Sequence, residues 1–101
     1  MEQEATVSSE AKIYCIDCGE RFWVLARDPF AALQELRRSM RENMGLDPKR
    51  VNGALEGAAC KELTTKEATG VFLEDRYGGY ETLACAARNE EAPAILGTSL
   101  I

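Results

Sequence analysis

The sequence predicts an α+β fold, and three observations carry that expectation. Residues 12–16 and 21–26 are rich in aromatic and β-branched side chains and flank Asp17-Cys18-Gly19-Glu20, a hairpin signature. Asp28-Pro29 opens an apolar repeat at helical spacing, which Gly45 and Pro48 close. Residues 71–75 and 80–86 flank Gly78-Gly79, a second hairpin. The expected order is β-β-α-α-β-β. Both hairpins are expected in one antiparallel sheet, with the main helix packed on one face. Residues 1–11 are read as a disordered tail and residues 12–101 as a single domain.

In the first hairpin Gly19 supplies the positive φ that a tight turn needs. With Cys18-Gly19 at the turn centre, Cys15 faces Phe22 and Ile13 faces Val24, an apolar face for the core. Lys12, Tyr14, Ile16, Arg21, Trp23 and Leu25 then share the other face, with Tyr14 opposite Trp23. A one-residue slip exchanges the two faces, so a helix-covered Tyr14–Trp23 face is the competing reading. If that face is open, Tyr14 and Trp23 form a contact patch, because these residue types are enriched where proteins meet.

Asp28 caps a helix whose Pro29 sits where its missing N–H costs nothing. Phe30, Leu33, Leu36, Met40 and Met44 fall on one stripe, with Glu35, Arg38, Ser39 and Glu42 opposite. Gly45 ends the helix in the left-handed conformation, Leu46 folds back on Met40, and Pro48 prevents continuation. Asp47-Pro48 repeats the start signal. A second helix through residues 47–63 is the favoured reading there, with a strand around residues 51–55 as its rival, since Gly53 and Gly57 each weaken a helix by about 1 kcal/mol. Thr64 and Glu67 form a capping-box pattern that opens one turn before Gly70. With the second hairpin centred on the glycines, Arg76 faces Glu81 and Phe72 faces Cys85. The apolar end, residues 94–101, either packs back on the sheet, which is the favoured reading, or forms an adhesive tail.

The totals narrow the function classes. Hydrophobic residues are 46% and charged residues 29% of 101, the balance of a soluble domain able to bury a core. No apolar run approaches a membrane span, and the acidic start resembles neither a secretory signal nor a mitochondrial presequence. A cytoplasmic location and no membrane partner are expected. Net charge is −5. Residues 21–50 hold seven bases against four acids, whereas residues 51–101 hold four against eight. Direct nucleic-acid binding is disfavoured, because phosphate contacts need a strongly positive face.

Cys15-Ile16-Asp17-Cys18-Gly19 resembles the knuckle of zinc ribbons and rubredoxins, in which two thiolates at a hairpin tip bind one metal. The resemblance covers five residues. It implies a four-thiolate site from Cys15, Cys18, Cys60 and Cys85, an alternative reading as a zinc-stabilised module. Cys60 and Cys85 lack the second knuckle that such a site brings, histidine is absent, and the favoured reading holds the cysteines as small buried hydrophobes without a cofactor. Catalysis finds little support. A serine or cysteine nucleophile wants a neighbouring base, and adjacent carboxylates such as Glu74 and Asp75 point to opposite faces of a strand.

What remains is a non-enzymatic, acidic protein–protein interaction module. The expected partner is another protein with a basic groove, such as one that handles nucleic acid, which the module would serve as inhibitor or accessory. Glu74, Asp75 and Glu81 are the expected acidic contacts, with Tyr14 and Trp23 the aromatic ones.

Overall fold

The computed structural model describes residues 11–74 and 77–100. Within them the chain forms β1 Lys12–Asp17, β2 Glu20–Ala26, α1 Pro29–Glu42, α2 Pro48–Leu55 and β3 Ala59–Glu62. Then follow α3 Thr65–Thr69, β4 Phe72–Glu74, β5 Tyr80–Thr82, α4 Leu83–Arg88 and β6 Ala94–Leu100. The fold is α+β, and its order is β-β-α-α-β-α-β-β-α-β. One four-stranded antiparallel sheet runs β3-β1-β2-β6; β4 and β5 pair separately as a two-stranded sheet. The second hairpin therefore does not join the main sheet. The expected tail lies outside the described residues except for Ala11.

The sheet is buried on both faces. On one face Tyr14, Ile16, Phe22, Val24 and Ala26 pack against Ala32, Leu36 and Met40 of α1 and Val51 and Leu55 of α2. On the other, Trp23 packs with Ala68 of α3 and Leu83 of α4, joined by Ile13, Cys15, Leu63, Leu73 and Leu96. The sheet is thus the middle of three layers, with α1 and α2 on one side and α3, the β4–β5 hairpin and α4 on the other.

This two-sided burial corrects the first-hairpin register. Asp17 pairs with Arg21, Tyr14 with Val24 and Cys15 with Trp23. The turn holds three residues, Cys18, Gly19 and Glu20, with Gly19 at φ +98° and the Cys18 N–H donating to the Glu20 carbonyl at 3.1 Å. Tyr14 and Trp23 consequently lie on opposite faces, 3% and 7% exposed. The expected open aromatic patch does not form. Apolar side chains on both faces leave no hydrophobic alternation to fix the register, so the turn length decides it.

Helix α1 keeps its ends but turns about its axis. The Asp28 carboxylate accepts from the Ala31 N–H at 2.7 Å. At the other end Gly45 has φ +72° and the Leu46 N–H donates to the Met40 carbonyl at 3.0 Å. The buried stripe is Ala32, Glu35, Leu36, Ser39 and Met40, while Phe30 is 71% exposed and Met44 lies open. Ala32 and Ser39, both small, are buried, and Ala32 belongs to the core cluster of Tyr14 and Val24. Glu35, expected outside, is buried and accepts from Arg38 Nε at 3.0 Å; Arg38 Nη1 reaches Glu42 at 2.8 Å.

The second helix is shorter than expected, and residues 51–55 are helical rather than a strand. After Leu55 the chain turns at Gly57, φ +75°, and residues 59–62 become β3 on the edge beside β1. The capping box forms at α3: the Glu67 N–H donates to Thr64 Oγ1 at 3.1 Å and the Thr64 N–H to Glu67 Oε1 at 2.8 Å. In the second hairpin Phe72 pairs with Thr82, not Cys85, and Glu74 with Tyr80. Thr82 ends β5 by capping α4, its hydroxyl accepting from the Cys85 N–H at 3.1 Å, so Cys85 is helical. Residues 94–100 pack back on the sheet as β6. The pairing shifts between Trp23–Gly97 and Val24–Ile95, leaving Leu96 as a bulge. A Cβ on Gly97 would stand 2.9 Å from Leu73 Cδ2, so the glycine seats the second hairpin against β6.

Candidate functional site: the outer face of the second hairpin

Strand alternation divides the β4–β5 hairpin into two sides. Leu73 points to the core and lies over Gly97. Its neighbours Phe72 and Glu74 point away, as do their partners Thr82 and Tyr80. Phe72 is 63% and Tyr80 73% exposed, and Glu74 is exposed between them in the ladder. Tyr77, beyond β4, is also exposed. Among the described residues, three of the five exposed large hydrophobics therefore sit on this hairpin. Phenylalanine and tyrosine offer large contact area at low conformational cost, and the neighbouring carboxylate adds a charge preference.

The structure separates the residues expected to act together. Glu74 lies on this outer face. Glu81 pairs with Leu73 and is half-buried on the inner side, where it lines a cavity of about 310 Å³ with Tyr77, Asn89 and Glu90. Asp75 lies outside the described residues. Tyr14 and Trp23 belong to the two cores. Phe72 and Tyr80 were not singled out from the sequence, because an aromatic residue in a short strand reads as core. The available signal was the two-residue step from Phe72 to Glu74, which puts the aromatic on the charged side.

The four cysteines do not converge. Cys18 and Cys60 pack against the α1 side of the sheet, Cys15 packs against the opposite side, and Cys85 belongs to α4. Among the described residues no group of three or more cysteine, aspartate or glutamate side chains is placed to hold a metal. Burial raises the pKa of the Cys15 thiol, against the opposing pull of Arg21 and Lys61. Burial raises that of Cys60 as well. Raised thiol pKa values disfavour the thiolate that a cysteine nucleophile needs.

Cys15 and Trp23 floor an open groove of about 480 Å³, walled by Asp17, Arg21, Lys61 and Glu67. Its charges are matched: Lys61 Nζ donates to Glu67 at 2.8 Å, and Asp17 stands across the ladder from Arg21. A wider hollow of about 590 Å³ between β2 and the end of α4 holds Arg27, Arg88, Glu90 and Glu91, but no hydroxyl, thiol or amine among its lining residues. Neither brings a reactive nucleophile to a base. No described helix is long and apolar enough to cross a membrane. A scan of protein-family models and searches of curated proteins and of solved structures find no match to this chain.

Proposed function

We propose that this protein is a non-enzymatic, cytoplasmic protein-interaction module whose contact surface is the outer face of the β4–β5 hairpin. One observation carries the reading: Phe72 and Tyr80 stand exposed beside Glu74 on a face that the hairpin turns away from both cores. Solvating two large aromatic rings is unfavourable, and a partner that covers them recovers that cost. The partner is a protein with apolar contact area inside a basic groove, such as one that normally holds nucleic acid. The carboxylates near the hairpin and the net charge of −5 favour approach to such a surface. Occupying the groove would exclude its ligand, the action of an inhibitor or accessory protein.

Capture from host extract with the purified protein tests this, comparing wild type with F72A/Y80A and with E74K. Every altered side chain is exposed, so the variants should keep the wild-type circular dichroism. Both should lose the same captured protein, and E74K should act mainly through a slower association at low salt. Undiminished capture by both variants would remove the hairpin as the contact. The zinc alternative has its own test: the protein should purify without stoichiometric metal and keep its Tm in EDTA. One metal per chain, with unfolding on chelation, would replace this reading with a metal-stabilised module.

A further inference from the structure

Helix α1 presents a second exposed stripe, on the side away from the sheet. Phe30, Gln34, the half-buried Arg37 and Arg41 recur along it at the spacing of one helical face, and the exposed Met44 follows just past the helix end, with an apolar residue at each end and two guanidinium groups between. Four of the five acids on or capping α1 and α2 are engaged locally, Glu56 at the end of α2 being the fifth. Asp28 and Asp47 cap the two helices, and Glu35 and Glu42 both bind Arg38. Arg37 donates to the neutral Asn52 at 2.7 Å. Arg41, Lys49 and Arg50 have no carboxylate partner among the described residues. Residues 27–56 carry six bases against five acids, and the stripe itself holds two guanidinium groups and no carboxylate, with exposed apolar groups at both ends of its ridge.

We propose that the α1 stripe docks the β4–β5 hairpin of a second copy of this chain, head to tail. The inference rests on the hairpin being a contact face. The two surfaces are complementary in kind: Phe30, Met44 and the guanidinium groups of Arg37 and Arg41, neither held by a carboxylate, on one, Phe72, Tyr80 and Glu74 on the other. They lie on opposite sides of the four-stranded sheet, so they cannot meet within one molecule. A contact between two different faces is heterologous and extends into a chain or closes into a ring. Its charged character makes it weak and salt-sensitive. By covering the hairpin, self-association competes with capture of a foreign partner.

Sedimentation velocity on the full chain tests the proposal with two single variants, R41E and E74R. Wild type should sediment faster as concentration rises toward about 1 mM, the range in which weak contacts populate. Added salt should reverse the effect. R41E spoils the stripe and keeps the hairpin; E74R does the reverse. Each alone should associate at least tenfold more weakly than wild type. Mixed in equal amounts they should regain association, since the unaltered hairpin of R41E meets the unaltered stripe of E74R and the reversed charges face each other at the other contact. A wild type that stays monomeric at low salt overturns the proposal, as does an equal mixture that remains monomeric. Loss of foreign capture by E74R beside a monomeric wild type would leave the hairpin reading standing and end this one. Binding of duplex DNA by monomeric wild type, lost in R41E, would overturn it by assigning the stripe to a polyanion instead.

Discussion

Two positions on α1 test the packing most directly. Leu36 is fully buried against the sheet, whereas Phe30 is open to solvent. Leu36→Ala should cost about 2–5 kcal/mol, the range for removing a buried leucine side chain. Phe30→Ala should fall within about 0.5 kcal/mol of wild type, as surface changes do. Urea midpoints at unchanged slope measure both, and equal losses would put the helix in the phase expected from its large apolar residues. That phase was illegible for a definite reason. Counting large hydrophobics weights Phe30 and Met44, but the buried stripe includes the small residues Ala32 and Ser39 and the charged Glu35, which such a count passes over. The same blindness hid the candidate site, because Phe72 and Tyr80 carry no mark of exposure except their register with Glu74.

At the scale of elements, what could be read was what is local. Asp28-Pro29, Asp47-Pro48, Gly45 and the Thr64–Glu67 box each act on backbone groups within a few residues, and each forms as expected. Residues 59–62 were illegible as a strand because Ala-Cys-Lys-Glu has no alternation; β1 recruits them from outside the segment. The capping box also gives a dependence on pH. The Lys61 ammonium, then the Thr64 N–H, hold the Glu67 carboxyl well down, to about 2. In an unfolded chain a glutamate titrates near about 4.3. The folded pKa is the lower one, so the stabilisation is present above about 4.3 and is lost as pH falls toward about 2. Glu67→Gln retains a side-chain acceptor for the cap but not the charge. Its Tm should therefore fall less steeply than that of wild type between pH 4.3 and 2. Parallel curves over that window would mean that Glu67 contributes no linkage.

The whole molecule depends on a property no segment announces: both faces of the main sheet are covered. The α+β class follows from the elements, but their assembly requires knowing that the second hairpin leaves the sheet and that the chain's last strand enters it. β6 closes the side of β2 away from β1, and Ile95 and Leu96 contribute to the cores on opposite faces. Gly97 beneath Leu73 ties the second hairpin to the same strand. Deleting residues 92–101 would thus turn β2 from an inner strand into an edge and unseat the hairpin, although β2 carries the buried Phe22, Trp23, Val24 and Leu25. An unpaired apolar edge of this kind invites aggregation. The truncated chain is expected to lose cooperative unfolding and to bind a hydrophobic dye, while the full chain melts in one transition. If the deletion instead melts cooperatively at nearly the wild-type temperature and still captures the hairpin's partner, then β6 is an accessory strand. The three-layer architecture would then be held by β1–β3 and the helices alone.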